Sequence, residues 1–393
     1  MIVPSTDLRR GRLLFLVTED WYFWAHRLHL ARAARDAGYE VVVATRARKL
    51  AGEIAAEGFR LEPLSWQRGS INPLRLIFDL WTIVRLYRRL RPDIVHHVSL
   101  KPIMLGTAAA RSVPNTAVLN ALTGRGYIFT ARSLRARLLA PIVSLLLRRL
   151  SRRPNTVLLL ENEDDRRFAV DAIGIAAERS TVTPGSGVDM RQFAVLPMPS
   201  GEPVPGEPVT IGCAARMVHL KGIADLVSAS RILRARKVAH RLVLAGGTDR
   251  ENPDSIAEHT LHDWVRQDGI EWLGRINDVR ELWRQCHIAA LASLGGEGVP
   301  LSLVEAAACG RPLVATDVPG SRDIARAEVN ALLARPGSPE LLADALERLI
   351  RDHELRNKFA AESRRIAETV FSLDRVLAAT LALYDRLLSR PSS

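Results

Sequence analysis

Glu297 and Glu305, with seven residues between them, are carboxylates able to accept hydrogen bonds from paired hydroxyls. Upstream, Arg216 and Lys221 supply a planar guanidinium fork and a compact ammonium. That pair suits a phosphoryl anion whose charge grows as it leaves. Each residue also has an ordinary reading. Ser302 and Glu305 have capping-box spacing, Glu297 fits a solvated loop acid, and one Arg with one Lys is common in a basic chain. The first half offers further candidates: Arg27, the pair His96 and His97, Lys101, and the acidic run from Glu161 to Asp165.

These groups need rigid supports, and the pattern supplies them. The apolar run Ile288 to Leu294 reads as a strand, the glycines after it as a loop, and Pro300 as a first helical residue. Leu301 to Cys309 is helical in pattern, Gly310 ends it, and Pro312 to Ala315 is the next strand. A strand, a glycine loop and a helix N-terminus together form an anion site, because first-turn amides and the helix dipole point outward there. Arg216 and Lys221 follow another strand, Val209 to Cys213, and precede a helix reaching about Lys237. Before them, Arg12 to Val17, Val41 to Thr45, Phe59 to Leu64, Asp93 to Val98 and Thr156 to Leu160 read as strands. Glu19 to Arg27 reads as an aromatic-rich turn whose large side chains are either core or a ligand wall. Pro73 to Leu90 is a long helix with apolar residues at Leu74, Ile77, Leu80, Trp81 and Val84. Alternating strands and helices predict parallel sheets. His96 and His97 then fall near a strand's carboxyl end, as ligand groups or as a hydrogen-bonded structural pair. The acidic run is either a metal-holding triplet or, with Asn162 as cap, the first turn of a helix.

At 393 residues the chain suffices for two domains, and 47% hydrophobic with 25% charged residues excludes a disordered polymer. A net charge of +12 attracts polyanions: nucleic acid, anionic membrane or phosphorylated ligands. Cys213, Cys286 and Cys309 lie far apart in apolar surroundings, which predicts a reducing compartment, the cytoplasm, and no disulfide frame. Leu13 to Val17 is too short for a signal peptide core and reads as a strand, and the longest apolar run, Leu138 to Leu147, is too short to span a bilayer. The Pro- and Gly-rich stretch Leu196 to Pro208 reads as a linker.

The pattern of Glu297, Gly298, Pro300, Glu305, Ala306, Gly310, Pro312 and Asp317, preceded by Arg216 and Lys221, resembles the nucleotide-sugar site of retaining glycosyltransferases of family 4. Those enzymes have the GT-B fold, an α/β architecture of two Rossmann-like domains facing across a cleft. The resemblance implies an acceptor-binding domain over 1–195, a nucleotide-sugar-binding domain over 209–371, and a C-terminal helix over 372–393 that packs back on the first domain. It implies that Arg216 and Lys221 bind the diphosphate, Glu305 the ribose, and Glu297 the donor sugar. Gly298, Val299, Pro300, Leu301 and Arg275 complete the donor site, with no metal and no cofactor. Retention in this family is described as same-face attack, the acceptor hydroxyl passing its proton toward the leaving diphosphate. Two departures stand out: bulky residues replace glycines in the first loop, and Thr123 occupies a position where relatives often place histidine. A narrower resemblance, carried by Gly247 to Pro253, Asn120 to Phe129 and Ile71 to Pro73, is to members that extend polyprenyl-diphosphate-linked glycans. It implies a UDP-sugar donor, a hexose or N-acetylhexosamine transferred at the inner face of the cell membrane, and Arg27 and Lys101 on the acceptor's phosphates. A non-transferring UDP-sugar 2-epimerase and a non-enzymatic basic membrane- or nucleic-acid-binding module are the alternatives. The second leaves the glutamates and the Arg/Lys pair unexplained; no nucleic-acid partner is expected.

Ala131 to Pro154 carries the membrane expectation. Arg132, Arg135 and Arg137 precede the apolar run, and Arg148, Arg149, Arg152 and Arg153 follow it. Such a segment lies at an anionic membrane surface, its guanidiniums on lipid phosphates, or else is a core helix with a solvated basic end.

Overall fold

The computed structural model describes residues 10–67, 69, 72–125, 128–129, 134–199, 208–249 and 251–389. The chain divides after Thr183 and again after Arg375: the stretch up to Thr183 and the stretch from Val376 make one unit, and Pro184–Arg375 the other.

In the first unit the elements are β1 (Gly11–Glu19), α1 (Asp20–His26), α2 (Leu28–Asp36), β2 (Tyr39–Arg46), α3 (Ala51–Ala56), β3 (Arg60–Pro63) and α4 (Pro73–Leu90). They continue with β4 (Ile94–Val98), α5 (Leu100–Ala109), β5 (Ala117–Leu122), α6 (Leu134–Leu150), β6 (Thr156–Leu160), α7 (Glu163–Arg167) and β7 (Ser180–Val182). Among the described residues the seven strands form one parallel sheet, ordered β3-β2-β1-β4-β5-β6-β7. Its middle strands are near-continuous apolar runs because helices cover both faces of a parallel sheet.

The second unit runs β8 (Val209–Ala214), α8 (Ile223–Ala235), β9 (His240–Ala245), α9 (Glu258–Asp268), β10 (Glu271–Trp272), α10 (Val279–Gln285) and β11 (Ile288–Leu291). It closes with α11 (Leu301–Ala308), β12 (Leu313–Thr316), α12 (Ser321–Ile324), β13 (Ala331–Ala334), α13 (Pro339–Arg351) and α14 (His353–Val370). Its six described strands are parallel in the order β10-β9-β8-β11-β12-β13. Each unit is thus a doubly wound, Rossmann-like sheet. The last helix, α15 (Leu373–Leu388), begins in the second unit and from Val376 belongs to the first. There Tyr384 is buried against His96, their Oη and Nδ1 2.6 Å apart.

Three local features depart from the sequence pattern. Glu19 to Arg27 is not a turn: Asp20–His26 is helical, held at its start by Asp20, whose Oδ2 accepts the amides of Arg48 and Leu50. Of its aromatics, Phe23 is core, edge-on to Phe15 at 5.8 Å, while Tyr22 donates to Thr123 Oγ1 at 2.9 Å. Helix α4 has the expected bounds, with Asn72 capping the amides of Leu74 and Arg75, yet its Leu74, Ile77 and Trp81 point to solvent. Arg153, expected among lipid-facing arginines, is half-buried and donates to the carbonyls of Ala110, Val113, Pro114 and Thr116. It closes the end of the turn after α5 and is not available to a membrane. Arg132, Ile71, Gly126, Tyr127, Arg250 and linker residues 200–207 lie outside the described residues, as does the side chain of Arg135.

Candidate active site

In the second sheet the chain runs outward from β8 through β9 to β10, then restarts on β8's other side with β11, β12 and β13. The loops leaving β8 and β11 therefore part from neighbouring strands, which is where open α/β sheets take their ligands. One loop carries Arg216 and Lys221; the other carries Glu297 to Pro300.

Lys221 ends a single turn of tight helix, His219–Lys221, after which Gly222 turns left-handed at φ 64°. A Cβ at Gly222 would collide with the Ala292 carbonyl oxygen, so the bare backbone lets this turn close on the end of β11. Asp254 fixes the turn from the loop after β9. Its carbonyl accepts the His219 amide at 2.9 Å and its carboxylate the Leu220 amide at 2.8 Å. The Leu294 amide then donates to the Leu220 carbonyl at 2.8 Å, tying the two ligand loops together.

So positioned, Lys221 Nζ donates to both oxygens of Glu297, at 2.6 and 2.8 Å. Ser293 Oγ donates to Glu297 Oε1, and the Ser293 carbonyl accepts from Thr316 Oγ1. The Glu297 carboxylate is thereby oriented from two sides. Arg216 extends to Asp249, 2.9 Å from Nη1 to Oδ2, with 42% of its side chain exposed.

Pro300 is the residue before α11, not its first residue: its ψ is 109°, and the helix begins at Leu301 with no side-chain cap. Ser302 sits inside the helix, so the capping box does not form. Glu305, one turn in, makes no side-chain hydrogen bond or ion pair with the described residues. Burial pushes its carboxyl up to about 8, and the nearby Asp278 carboxylate adds to the rise. Gly298 is held by Gly320, which at φ 81° brings its bare α-carbon against the Gly298 carbonyl. Val299 packs on Gly185, and Leu301 is partly buried in the core. Arg275 is exposed and lies beside Gly247, after Gly274, whose carbonyl accepts the Gly246 amide at 2.7 Å.

The corresponding switch in the first sheet falls between β1 and β4. Arg27 and Lys101 follow those strands, but each has an internal partner. Arg27 is buried, with Nη2 3.8 Å from Glu161 Oε1. Lys101 Nζ meets Asp79 Oδ2 at 3.0 Å and the Gln67 carbonyl at 2.8 Å. Before Lys101, Ser99 takes φ 73°, a left-handed conformation rare for a residue with a side chain. His96 and His97 are interior, not cleft-lining. His97 bridges Asn120 Oδ1 at 2.7 Å and the Tyr87 hydroxyl at 2.8 Å, and burial lowers it to about 4. The acidic run opens α7: Asn162 Oδ1 accepts the Asp165 amide at 2.7 Å, and Glu163, Asp164 and Asp165 each pair with an arginine. Among the described residues no group of three or more His, Cys, Asp or Glu could hold a metal ion.

Asp249, Asp254 and Ser293 were not apparent as site residues in the sequence. Asp249 and Asp254 act through contacts between separate loops and Ser293 through a contact within its own, and only the Asn252-Pro-Asp254 turn signal near two glycines hinted that the loop after β9 is ordered.

Residues 208–352 match the family described as glycosyl transferases group 1, and residues 12–153 the family described as glycosyl transferase 4-like. Over 389 residues the chain is 23% identical to the N,N'-diacetylbacillosaminyl-diphospho-undecaprenol alpha-1,3-N-acetylgalactosaminyltransferase of Campylobacter jejuni, covering 96% of this chain and 99% of that protein. A putative glycosyltransferase of Bacillus subtilis, EpsD, is 24% identical, with 91% of this chain and 92% of that one covered. Among solved structures, Anabaena Alr3699/HepE in complex with UDP and glucose superposes with a TM-score of 0.76 at 18% identity, over 96% of this chain and all (100%) of that one. Sucrose-phosphate synthase of Thermosynechococcus elongatus does so with a TM-score of 0.77 at 17% identity, over 96% and 99%. These likenesses establish the GT-B fold.

Proposed function

The chain belongs to the group 1, 4-like glycosyltransferases, and from that premise we propose that it moves a hexose or N-acetylhexosamine from a UDP-sugar to a lipid-linked saccharide, with retention at the anomeric carbon. The observation that carries the donor half is the switch point between β8 and β11. It joins Lys221 to Glu297 at the mouth of a helix whose Glu305 is partly buried and has no hydrogen-bond or ion-pair partner among the described residues. In this reading the diphosphate takes Lys221 and Arg216, and the first-turn amides of α11 add to their charge. Glu297, released from Lys221, accepts sugar hydroxyls, and Glu305 accepts the ribose diol. The acceptor hydroxyl attacks from the leaving group's own face, and its proton goes to the departing diphosphate, so no side-chain base is needed. UDP in the Anabaena complex supports the choice of nucleotide, and the diphospho-undecaprenol substrate in the name of the Campylobacter relative supports a lipid-linked acceptor. On the acceptor side Arg27 and Lys101 stand at the carboxyl ends of β1 and β4, where its phosphates would compete for them with Glu161 and Asp79. Arg137, Arg148, Arg149 and Arg152 of the α6 segment are exposed and would meet an anionic membrane at the cytoplasmic face. No helix among the described residues is long and apolar enough to cross a membrane.

The test is a panel of UDP- and GDP-sugars incubated with the protein, with and without a polyprenyl-diphosphate saccharide. Slow hydrolysis of one UDP-sugar alone and faster transfer with the acceptor, the new bond keeping the donor's anomeric configuration, are expected. A free epimerised nucleotide sugar as sole product, or an inverted linkage, overturns the proposal. Chelator should leave the rate intact, since arginine and lysine supply the charge; loss with EDTA and rescue by magnesium or manganese would refute that part.

A further inference from the structure

We propose that the outer face of α4 is a second membrane-docking surface, acting beside α6, and that its partner is the headgroup region of an anionic phospholipid bilayer. The lipid-linked acceptor of the preceding section gives this surface its purpose, but the docking does not depend on it.

Leu74, Ile77, Phe78 and Trp81 occupy positions i, i+3, i+4 and i+7 and so share one face of α4. That face is uncovered: Leu74 is 78%, Ile77 64% and Trp81 51% exposed. The opposite face holds Ile83, Leu86, Tyr87 and Leu90 in the core, together with Asp79, only 3% exposed and 3.0 Å from Lys101 Nζ. A helix on a water-facing surface places its acid outward and its largest apolar groups inward. Here Asp79 is turned in at the cost of desolvating an ion pair, and four large apolar side chains are turned out. The exposed apolar face is unfavourable in water and is relieved if something apolar covers it.

Helix α6 shares this outlook. Its Leu138, Ile142, Leu145 and Leu146 are exposed, while Leu147 is buried. The core beneath α4 includes Val118 and the core beneath α6 includes Leu122. Those two residues are four apart on β5 and therefore point to the same face of the sheet. Helix α5 packs against both α4 and α6, so the three form one layer with two apolar outer stripes.

The charge around the stripes selects the partner. Arg85 lies 4.5 Å over the Trp81 ring, with Arg88 also exposed on α4 and Arg148 and Arg149 on α6, while Arg75, 5.8 Å over Phe78, already pairs with the inward Asp79 at 3.4 Å. The one acid of α4 is the inward Asp79, and α6 has none. A second copy seated on its own equivalent surface would set these arginines against one another with no carboxylate to meet. Lipid phosphates above an acyl boundary satisfy both the guanidiniums and the apolar side chains, and tryptophan is favoured at that boundary.

Sedimentation of the full chain with vesicles of phosphatidylcholine, or of phosphatidylcholine mixed with phosphatidylglycerol, tests this without donor or acceptor. The protein should follow the anionic vesicles at low salt and largely leave the neutral ones. Ile77→Ser with Trp81→Ser should weaken anionic partitioning about tenfold or more, since each lost apolar insertion removes more than 1 kcal/mol. Its thermal unfolding and its UDP-sugar hydrolysis should match the parent. Equal sedimentation of variant and parent overturns the inference, as does loss of a concentration-dependent dimer in the same variant without lipid. Absence of donor hydrolysis in the parent, with vesicle binding intact, would instead count against the glycosyltransfer reading alone.

Discussion

Lys221 and Glu297 neutralise each other across two loops, 2.6 Å apart, so a donor must exchange this contact for its own phosphate and hydroxyls. Lys221→Ala should therefore cost mostly turnover, about a hundredfold or more, because leaving-group charge is greatest in the transition state. Steady-state kinetics of Lys221→Ala and Arg216→Ala decide this; parental rates at saturating donor in both would remove them from the mechanism. Glu305 behaves differently, since it has no partner among the described residues to lose. Its folded value of about 8 exceeds the ordinary 4.5, so between those values the folded chain holds a proton that the unfolded chain has released. Its contribution to stability is complete below pH 4.5 and is lost as pH rises toward about 8. A ribose diol that hydrogen-bonds the ionised carboxylate must expel that proton. UDP affinity should then strengthen with pH up to about 8 and level off above, with proton release on binding seen by calorimetry in buffers of different ionisation enthalpy. Glu305→Gln should abolish the release; unchanged release in that variant would reassign the proton.

At the scale of elements, loops rather than strands decide the site, and glycines decide the loops. Gly320 touches the Gly298 carbonyl where a Cβ has no room. Gly320→Ala should displace residues 295–300 and weaken UDP binding while the sheet stays folded, which circular dichroism and UDP titration together report; parental affinity would mean the loop adapts freely. Much of this was legible beforehand: the strand positions, α11 and the bounds of α4 follow from periodicity and punctuation, although β11 stops at Leu291 where the apolar run continues to Leu294. The misreadings have one cause, contacts between residues distant in sequence. Segment 20–26 holds no glycine or proline, and its helix is fixed by amides some thirty residues on, Arg48 and Leu50. The orientation of α4 is set by Lys101 reaching Asp79 from α5, and no periodicity within α4 reports that. Likewise the histidine pair looks cleft-bound on its strand until Tyr87, Asn120 and Tyr384 close around it.

At the scale of the whole molecule, the end of the chain is part of the first unit's core. Leu383, Tyr384 and Leu387 of α15 are buried with Leu13, Phe15 and Tyr39, and Asp385 accepts from Arg10 at 3.0 Å and from the Tyr39 hydroxyl at 3.1 Å. Deleting the chain from Val376 removes these side chains at once and opens β1 and β4 to water on that face. Two units with separate cores need not unfold together. The truncated protein should therefore lose or sharply lower the first unit's thermal transition and retain a second that UDP still raises, because a ligand stabilises only the unit it binds. Tyr384→Phe is the milder form of the same change. It leaves His96 Nδ1 buried without its partner, at a cost of about 1–3 kcal/mol to the first unit. Calorimetry of the three proteins with and without UDP separates the outcomes. If truncation leaves both transitions where they were, α15 is dispensable to the first core; if it removes the UDP-dependent transition as well, the two units do not fold independently.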